Sequence, residues 1–460
     1  MEFTMPANPF RTHGGVHAPH RKNTAKSASV TMPPPQQVII PMSMHIGAPC
    51  APLVKINDEV TVGQKIGEGK GFVSAPIHAS VSGKVKAVGK VPLGTGDTVD
   101  AITIESDGQM TVSPDVKPPV IESREDFLNA VKESGLVGLG GAGFPAHVKH
   151  ATKDPIDVLV INGAECEPYL TPDHREAVEE GEHVLDGIFA TMHWLGIPKA
   201  VIGIENNKPD AIQHLRDLLA KDSRNSNHSV GVVALKACYP QGAEKVLIQA
   251  ATNRVVPMGK LPSSVGCIVM NITSVGFLGR YLETGMPLIS KRITVDGSAI
   301  AKPQNVIAPV GTKICDIVAF CGGYKEEPKK IIYGGPMMGN ATYTDESPVT
   351  KTTNGLLAFN GKDAAASSRM TACIHCGFCL HVCPMSLVPT ELEQFTEVKN
   401  LDALRDAAIM NCIECGCCAY NCPAKRPLVQ AIRIGKSLIR KADAEAKAKA
   451  EAEKAKQENA

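Results

Sequence analysis

The sequence lacks any long apolar run and any surplus of charge of one sign. Its longest apolar runs, such as Val158 to Ile161 and Val265 to Ile272, are far shorter than the roughly 18 to 20 residues that a membrane-spanning helix needs. The 48 Lys and Arg residues balance 47 Asp and Glu residues, and no long basic block stands between residues 1 and 440. We therefore expect a chain that does not itself cross a bilayer, and the charge balance argues against a nucleic-acid-binding surface.

An export signal is also lacking, because the first residues, MEFTMPANPF, have no basic start followed by an apolar core. We therefore expect a cytoplasmic protein. The fifteen cysteines do not indicate a disulfide scaffold, since the chain is long and nine of them lie between Cys373 and Cys422. Reduced thiolates that bind iron are the better interpretation.

The composition changes several times along the 460 residues, a length that exceeds what one hydrophobic core usually organises. The alternation of β-runs and helix-like stretches in the middle of the chain is typical of an α/β sheet with covering helices. The predicted segments are an N-terminal arm (1–37), a small β-barrel (38–110), an α/β domain (115–290), a small ubiquitin-like module (291–360), a cysteine-rich domain (361–435) and an Ala/Glu/Lys-rich tail (436–460).

Two stretches of the barrel segment, Asp58 to Glu68 and Ser74 to Val85, resemble the biotinyl/lipoyl-type barrel. Carrier proteins of that type hold a lysine on the exposed hairpin between the two halves, where this sequence reads Ile77-His78-Ala79-Ser80. We therefore predict the barrel fold without a lipoyl or biotin carrier function.

Two copies of a C-x-x-C-x-x-C-x-x-x-C-P motif begin at Cys373 and Cys412. In tandem motifs of this kind three cysteines wrap one [4Fe-4S] cluster and the fourth reaches the other cluster. The spacing predicts two ligand sets, Cys373, Cys376, Cys379 and Cys422 for one cluster, and Cys412, Cys415, Cys418 and Cys383 for the other. Zinc is the alternative, but zinc sites commonly pair two C-x-x-C knuckles without a crossing cysteine before proline.

Cys417 aligns with Phe378 when the two motifs are superimposed, so we expect it to be a small packing residue beside the cluster. The stretch between Cys383 and Cys412 has helical spacing. These features predict an α-helical two-cluster ferredoxin domain, which transfers one electron at a time.

The glycines from Gly138 to Gly143 fit G-x-G-x-x-G, with Glu165 and Glu167 about twenty residues further on. A Rossmann fingerprint follows a strand and opens a helix, whereas here a helix-like stretch (residues 123–134) precedes the glycines and Phe144 and a proline follow them. The context is therefore wrong for a Rossmann unit, although a glycine-rich turn can still present backbone N–H groups to a phosphate.

Three ordered motifs resemble the flavin- and NADH-binding subunit of respiratory complex I and its hydrogenase and formate dehydrogenase relatives. They are GLGGAGFPAHVK (Gly138 to Lys149), INGAECEPYLTPDHR (Ile161 to Arg175) and YPQGAEK (Tyr239 to Lys245). The resemblance implies FMN and NAD(H) as further cofactors. Since a nicotinamide gives up two electrons at once, a cluster accepts one and a flavin can do both, the combination predicts a two-electron to one-electron converter.

The same resemblance implies roles for individual residues. The FMN site would comprise Gly138, Gly140, Gly141 and Asn162, with Glu165, Cys166, Gly242, Ala243 and Glu244 near the ring, Asn271 near the phosphate, and Gly143 and Tyr239 as further cofactor-binding residues. NAD(H) would contact Phe144, Lys149, Glu167 and Glu244. Glu165, Glu167 and Glu244 are accordingly the catalytic candidates.

The order of these parts resembles the RnfC family, which belongs to the Rnf complexes, the ion-translocating ferredoxin:NAD oxidoreductases; the likeness extends to about residue 440. Phe10 to His17 and Ile40 to Pro49 also look like that family. The implied fold class is multidomain α/β, with a lipoyl-like barrel, a complex I flavin-subunit-like domain, an SLBB-type module and the two-cluster domain. The resemblance implies a peripheral subunit on the cytoplasmic face of the cell (inner) membrane, with integral membrane and cluster-bearing Rnf subunits as direct partners and ferredoxin as an indirect one.

Two alternatives stay open at this stage. A soluble flavin and iron-sulfur cobalamin reductase shares the FMN and two-cluster modules, but in that family the barrel does not lead the chain, as it does here. A non-catalytic iron-sulfur electron carrier would need the clusters without a working flavin site.

Overall fold

The computed structural model describes residues 13–364 and 369–458. The first twelve residues, on which the predicted lack of an export signal and part of the family-like stretch from Phe10 fall, lie outside the described residues, as do residues 365–368 and the end of the tail. Within the described ranges no helix has both the length and the apolar character needed to cross a membrane.

The N-terminal segment (residues 13–29) packs between the folded modules. The Gly15 N–H donates to the Val382 carbonyl of the cysteine domain at 2.9 Å, and Val16 pairs with Tyr239 of the α/β domain in an antiparallel bridge. A Cβ on Gly15 would lie 2.7 Å from the Tyr239 carbonyl oxygen, so this close approach requires glycine. A short strand, β1 (Val30–Thr31), then joins the sheet of the third module.

The barrel consists of two small sheets around one apolar core. Its strands are β2 (Gln37–Pro41), β3 (Ala51–Pro52), β4 (Glu59–Val60), β5 (Lys65–Glu68), β6 (Ile77–His78), β7 (Gly83–Pro92) and β8 (Thr98–Ser106). The strand orders are β2-β8-β7-β4 and β3-β5-β6. Alternate residues of β2 and β8, among them Val38, Ile40, Ile102 and Ile104, are fully buried, as the two-residue period of a strand requires.

The hairpin that would carry a lysine in a carrier protein is buried. His78 is 5% exposed and Ser80 is fully buried, and the Ser80 hydroxyl donates to the Val310 carbonyl of the third module at 2.6 Å. This position, which is exposed in carrier proteins, is therefore an interface here, so the structure gives a swinging arm no room.

The α/β domain is built on four parallel strands in the order β11-β10-β9-β12. Its elements are α1 (Arg124–Glu133), α2 (Ala146–His150), β9 (Val158–Gly163), α3 (Pro172–Glu179), α4 (Gly181–Leu195), β10 (Lys199–Glu205), α5 (Pro209–Lys221), β11 (Val230–Leu235), α6 (Glu244–Thr252), β12 (Cys267–Asn271) and α7 (Ile272–Thr284). Two short 3-10 helices, Ser223–Asn225 and Pro262–Val265, lie between these elements.

The predicted first helix of this domain is confirmed. The Ser123 hydroxyl caps it by accepting a hydrogen bond from the Asp126 N–H, and Gly135, with φ +70°, follows its end. The single helix-like stretch predicted for residues 176–195 is instead two helices, because Glu180, with φ −127°, leaves the helical conformation between α3 and α4.

The third module is a mixed six-stranded sheet with one helix of two turns packed on it. Its elements are β13 (Ser290–Asp296), β14 (Gln304–Pro309), α8 (Ile314–Phe320), β15 (Lys330–Tyr333), β16 (Asn340–Thr342), β17 (Gly355–Phe359) and the short α9 (Gly361–Ala364). The strand order is β1-β14-β13-β17-β15-β16. The N-terminal segment therefore supplies one edge of a sheet whose other strands lie about 260 residues later in the chain.

The cysteine domain is helical, as predicted. Its elements are α10 (Phe378–His381), α11 (Pro389–Glu397), α12 (Leu401–Asp406), the 3-10 helix Ile409–Asn411, α13 (Cys417–Tyr420) and α14 (Leu428–Glu458). The last helix passes through the predicted domain boundary at residue 436 without a break, because its Ala-, Glu- and Lys-rich continuation contains no helix-breaking residue.

A buried lysine connects three of the modules. Lys351 of the third module is 1% exposed, and its ammonium donates to the Pro76 carbonyl of the barrel and to the Gly135 carbonyl of the α/β domain, both at 2.7 Å. Burial lowers the pKa of Lys351 to about 7 from its ordinary value of 10.5. The unfolded chain therefore binds one proton more than the folded chain between these two pH values.

We predict that Lys351→Met removes a pH dependence of stability. Because the native lysine loses its proton near pH 7 and the unfolded one near pH 10.5, the native protein gains stability relative to the variant over this window, by at most about 1.4 kcal/mol per pH unit. Denaturant unfolding of both proteins at several pH values measures the difference. Lys362→Met, which changes an exposed lysine, should run parallel to the native protein, and so would Lys351→Met if the buried ammonium had no such role.

Candidate flavin and cluster sites

Four cysteines from both motifs surround one cavity beside the α/β domain. We name Cys383, Cys412, Cys415 and Cys418, which line it, the inner cysteine set. Cys383 comes from the first motif and the other three from the second, which is the crossing that the spacing predicts. Four thiols around one cavity suit the donor set of a [4Fe-4S] cluster.

The remaining four motif cysteines surround a second cavity. We name Cys373, Cys376, Cys379 and Cys422 the outer cysteine set. Cys376 is exposed to solvent, whereas three of the inner four are buried. The outer set therefore lies at the surface, and the inner set lies between it and the α/β domain.

The two motifs have the same backbone conformation, which curls each loop around its cavity. Gly377 and Gly416 occupy equivalent positions with φ of +74° and +82°, and each precedes a short helix. The N–H groups of His375 and Glu414 point at the first thiol of their own motifs, with nitrogen–sulfur distances of 3.4 and 3.3 Å. Such N–H···S contacts are one way in which a protein adjusts the potential of a cluster.

Tyr239 connects the inner cysteine set to the α/β domain. Its ring is 3% exposed, and its hydroxyl donates to the Cys415 carbonyl at 2.6 Å. Cys417 is fully buried against it, with the thiol 3.9 Å from the Tyr239 carbonyl, and Cys166 packs in the same apolar cluster. Cys417 thus lies at the contact between the two domains, which extends its predicted role as a packing residue.

The glycine turn lies open to solvent. Gly140, Gly141 and Ala142 are exposed, and their backbone N–H groups have no hydrogen-bond acceptor among the described residues. A Cβ on Gly140 would lie 3.2 Å from the Asn271 side-chain nitrogen, so the turn approaches the start of α7 closely. Three free N–H groups at an exposed turn beside a helix N-terminus fit a phosphate-bearing cofactor such as FMN.

Glu165 and Asn162 flank this turn at the end of β9. The Glu165 carboxylate accepts from the N–H groups of Asp173 and His174 at 2.7 and 3.2 Å, so it caps the N-terminus of α3. Burial raises the pKa of Glu165, and the nearby Lys22 ammonium opposes that shift. Both oxygens of this predicted catalytic carboxylate are therefore engaged by backbone N–H groups.

Glu167 lies against a loop of the third module. Its two carboxylate oxygens accept from the N–H groups of Met337 and Met338 at 3.1 and 2.8 Å. Gly335 is required beside it, since a Cβ there would overlap the Glu167 carboxylate. Burial raises the pKa of Glu167 to about 7. The predicted contact of Glu167 with NAD(H) stays a prediction, and in the structure this carboxylate joins the α/β domain to the third module.

The motif around Gly242 folds back onto the end of β9. The Asn162 amide donates to the Gly242 carbonyl at 2.8 Å, and the Gly242 N–H lies 3.3 Å from the Cys166 sulfur. Gln241 is fully buried, and neither polar atom of its side chain has a hydrogen-bond partner in the described protein. The structure thus brings together the residues that the resemblance assigns to the flavin ring.

Lys149 and Glu244, two of the predicted NAD(H) contacts, form an ion pair. The Lys149 ammonium lies 3.3 Å from the Glu244 carboxylate and donates to the Val269 carbonyl at 2.8 Å. Both side chains are partly exposed, and Phe144 is half-buried at the exit of the glycine turn. Charged groups of both signs therefore remain accessible beside the turn.

Two lysines that the sequence reasoning missed also belong to this region. Lys22, in the N-terminal segment, and Lys208, before α5, both donate to carbonyls of residues 164–170. No spacing pattern singles out either lysine. The glycine pair at Gly14-Gly15 was the available signal that the N-terminal segment passes close to other backbone.

Comparison with models of protein families divides the chain into four matched regions. They are the RnfC barrel sandwich hybrid domain (residues 10–109), the Nuo51 FMN-binding domain (131–278), the SLBB domain (292–341) and the 4Fe-4S dicluster domain (372–426). The predicted fold class and the predicted FMN and iron-sulfur cofactors are thereby confirmed. The protein is an iron-sulfur flavoprotein of electron transport.

Curated relatives, all RnfC-type subunits, match along most of the chain. It is 44% identical to the relative from the Na+-translocating ferredoxin:NAD+ oxidoreductase complex of Acetobacterium woodii, over 92% of this chain and 96% of the relative. It is 43% identical to the relative from the proton-translocating complex of Clostridium ljungdahlii (92% and 93%) and 38% identical to that from the ion-translocating oxidoreductase complex of Rhodobacter capsulatus (94% and 83%). The chain belongs to the RnfC family of the ion-translocating ferredoxin:NAD+ oxidoreductases, the Rnf complexes.

A solved structure shares the fold over a smaller region. An NAD+-reducing [NiFe]-hydrogenase aligns with a TM-score of 0.50 at 19% identity, over 67% of this chain and 63% of that chain. The alignment supports the relationship of the fold to the hydrogenase relatives of the complex I flavin subunit.

We predict that iron loss on cysteine substitution follows the crossed sets. Since Cys383 and Cys415 line one cavity, the double variant Cys383→Ser/Cys415→Ser should lose about four of about eight irons, no more than either single variant. Cys379→Ser/Cys415→Ser, which changes both cavities, should lose nearly all. Iron and sulfide analysis with EPR of the reduced protein measures this.

Cys417→Ser is the matched control, because Cys417 neighbours a predicted ligand without being one. It should retain both clusters. Complete iron loss in Cys383→Ser/Cys415→Ser would contradict the crossed assignment, as would loss of one cluster in Cys417→Ser.

Proposed function

We propose that this chain exchanges electrons with NAD(H) for an ion-translocating ferredoxin:NAD+ oxidoreductase, and that it binds FMN and the nucleotide between the glycine turn and residues 164–170. The chain is an electron-transfer subunit of such a multi-subunit complex. The observation that carries the residue-level proposal is the contact of Tyr239 with Cys415, because it joins the predicted flavin site to the inner cysteine set.

The chain's own residues have distinct tasks in this proposal. A bound FMN supplies the exchange between two-electron and one-electron chemistry. The free N–H groups of Gly140 and Gly141 hold its phosphate end, and the Lys149–Glu244 pair and Phe144 orient the nucleotide. Glu165 and Glu167 keep their segment in place through backbone N–H groups, so their role is to shape the site.

The two cysteine sets form a sequence from the interior to the surface. Tyr239, Cys166 and Cys417 pack between the flavin-side segment and the inner set. The outer set opens to solvent, and Ile374 and Phe378 beside it are 64% and 50% exposed. We infer that the inner set lies on the NAD(H) side and that the outer set faces the partner that takes or gives single electrons.

The finer statements about partners and place belong to the same proposal. We infer that the outer cysteine set docks on the cluster-bearing or integral membrane subunits of the complex, with ferredoxin as an indirect partner. The chain would then lie peripherally on the cytoplasmic face of the membrane. The leading barrel and the identity to the RnfC relatives argue against a cobalamin reductase.

We predict that the anaerobically reconstituted protein binds FMN and that NADH then reduces both flavin and clusters. A spectral titration should show bleaching of flavin and of cluster absorbance on addition of NADH. Protein that binds no FMN and whose clusters do not respond to NADH would instead be a non-catalytic electron carrier.

We predict that Lys149→Met raises the KM for NADH by roughly tenfold, because a charge-assisted hydrogen bond contributes about 1.5 to 3 kcal/mol. Glu244→Gln should act in the same direction, and the double variant should cost less than the two single changes together, since the side chains pair with each other. Steady-state reduction of an artificial one-electron acceptor measures KM and kcat.

Lys153→Met is the control, since Lys153 is exposed on the loop after α2. It should leave the KM unchanged. An unchanged KM in Lys149→Met would remove this ion pair from the nucleotide site.

A further inference from the structure

Lys22 of the N-terminal segment is bonded entirely to one stretch of the α/β domain. Its ammonium nitrogen lies 2.8 Å from the Glu165 carbonyl, 2.8 Å from the Glu167 carbonyl and 2.5 Å from the Leu170 carbonyl. A lysine has three N–H donors, so all of them are used on a stretch of six residues. We name residues 165–170 the acidic segment.

The acidic segment has an unusual backbone. Glu165 and Tyr169 have φ of +47° and +69°, in the left-handed region that residues with a Cβ rarely adopt. Such conformations persist only where the surroundings enforce them, and they concentrate at functional sites. Three carbonyls that converge on one ammonium provide that enforcement.

Further contacts keep the N-terminal segment on the acidic segment. The Tyr169 N–H donates to the His20 carbonyl at 2.9 Å, and the hydroxyls of Thr24 and Thr171 lie 2.6 Å apart. On the opposite side, Lys208 donates to the Ala164 carbonyl at 2.6 Å and is itself paired with a buried glutamate. The carbonyls of the segment and of the residue before it therefore bond to two ammonium groups from distant parts of the chain.

We propose that Lys22 is a positioning residue of the flavin and nucleotide site, and that its ammonium holds the acidic segment in the conformation that presents Glu165, Cys166 and Glu167. The N-terminal segment, which lies outside the matched FMN-binding domain (131–278), is then part of the site. As far as it concerns cofactor binding, this inference rests on the proposed function.

The bonding geometry explains why a lysine suits this position. Three backbone carbonyls form a cage of acceptors without a formal charge, and an ammonium can satisfy all three at once. Glu165 adds an opposite charge, which offsets part of the cost of bringing the ammonium out of water. An apolar side chain would leave three carbonyls without a donor, and the left-handed residues would then relax.

The test is Lys22→Ala, with Lys26→Ala as the control because Lys26 is an exposed lysine of the same N-terminal segment. Hydrogen exchange of the acidic segment is measured by mass spectrometry on the cofactor-free chain, and FMN affinity is measured by fluorescence. We expect exchange in the segment and the FMN dissociation constant each to rise by about tenfold or more. Lys26→Ala should match the native protein in both.

Chemical rescue separates positioning from general loss of packing. The n-propylammonium ion replaces the atoms that Lys22→Ala removes and should restore slow exchange and FMN affinity. Tetramethylammonium has the charge without N–H donors and should restore neither. Should Lys22→Ala fail to fold, Lys22→Met, which retains the aliphatic stem, is measured for exchange and affinity in its place.

Native-like exchange and FMN affinity in a folded Lys22 variant would overturn the inference. A loosening that n-propylammonium leaves unchanged would also overturn it, since the lysine would then only fill space. If the native protein bound no FMN, the proposed function would fail, whereas the exchange of the cofactor-free acidic segment would still decide the role of Lys22.

Discussion

The hydrogen bond between Tyr239 and the Cys415 carbonyl is the contact on which the arrangement of this molecule depends. The predicted flavin site and the cysteine cavities lie on separate domains, and a fixed separation between them requires a buried, directional contact. Val16, Met337 and Cys166 gather around it from the N-terminal segment, the third module and the α/β domain. Every module except the barrel thus contributes to this junction, and the barrel is fixed to its neighbours by Lys351.

Charged groups that are buried at the junctions give the arrangement its specificity. Lys351, Lys208 and Lys22 each direct an ammonium at backbone carbonyls of another element. Burying an ammonium without partners is costly, whereas three well-placed acceptors offset most of that cost. A shift of one module against another would leave these groups unpaired, so each lysine disfavours alternative packings more than it adds to the stability of any single core.

Local patterns predicted the elements well where short-range physics decides them. Ser123, Asp126 and Gly135 specify the two ends of α1 through hydrogen bonds within one turn. The cysteine spacing predicted which thiols share a cavity, because a loop with a cysteine at every third position closes on itself. The break at Glu180 between α3 and α4 was missed, since helical periodicity continues through it and only the backbone conformation reveals the interruption.

The sequence by itself determined the chemistry of this protein: the two cysteine motifs, the glycine turn and the acidic motif indicate clusters, flavin and nucleotide through residue type and spacing alone. Only the tertiary structure decided which polar groups stay available in the site. Glu165 and Glu167 direct their carboxylates at backbone N–H groups, Lys149 pairs with Glu244, and Lys22 arrives from more than 140 residues away. These pairings depend on long-range packing, in which buried polar atoms take whichever partner the fold brings within reach, and no local pattern records that choice.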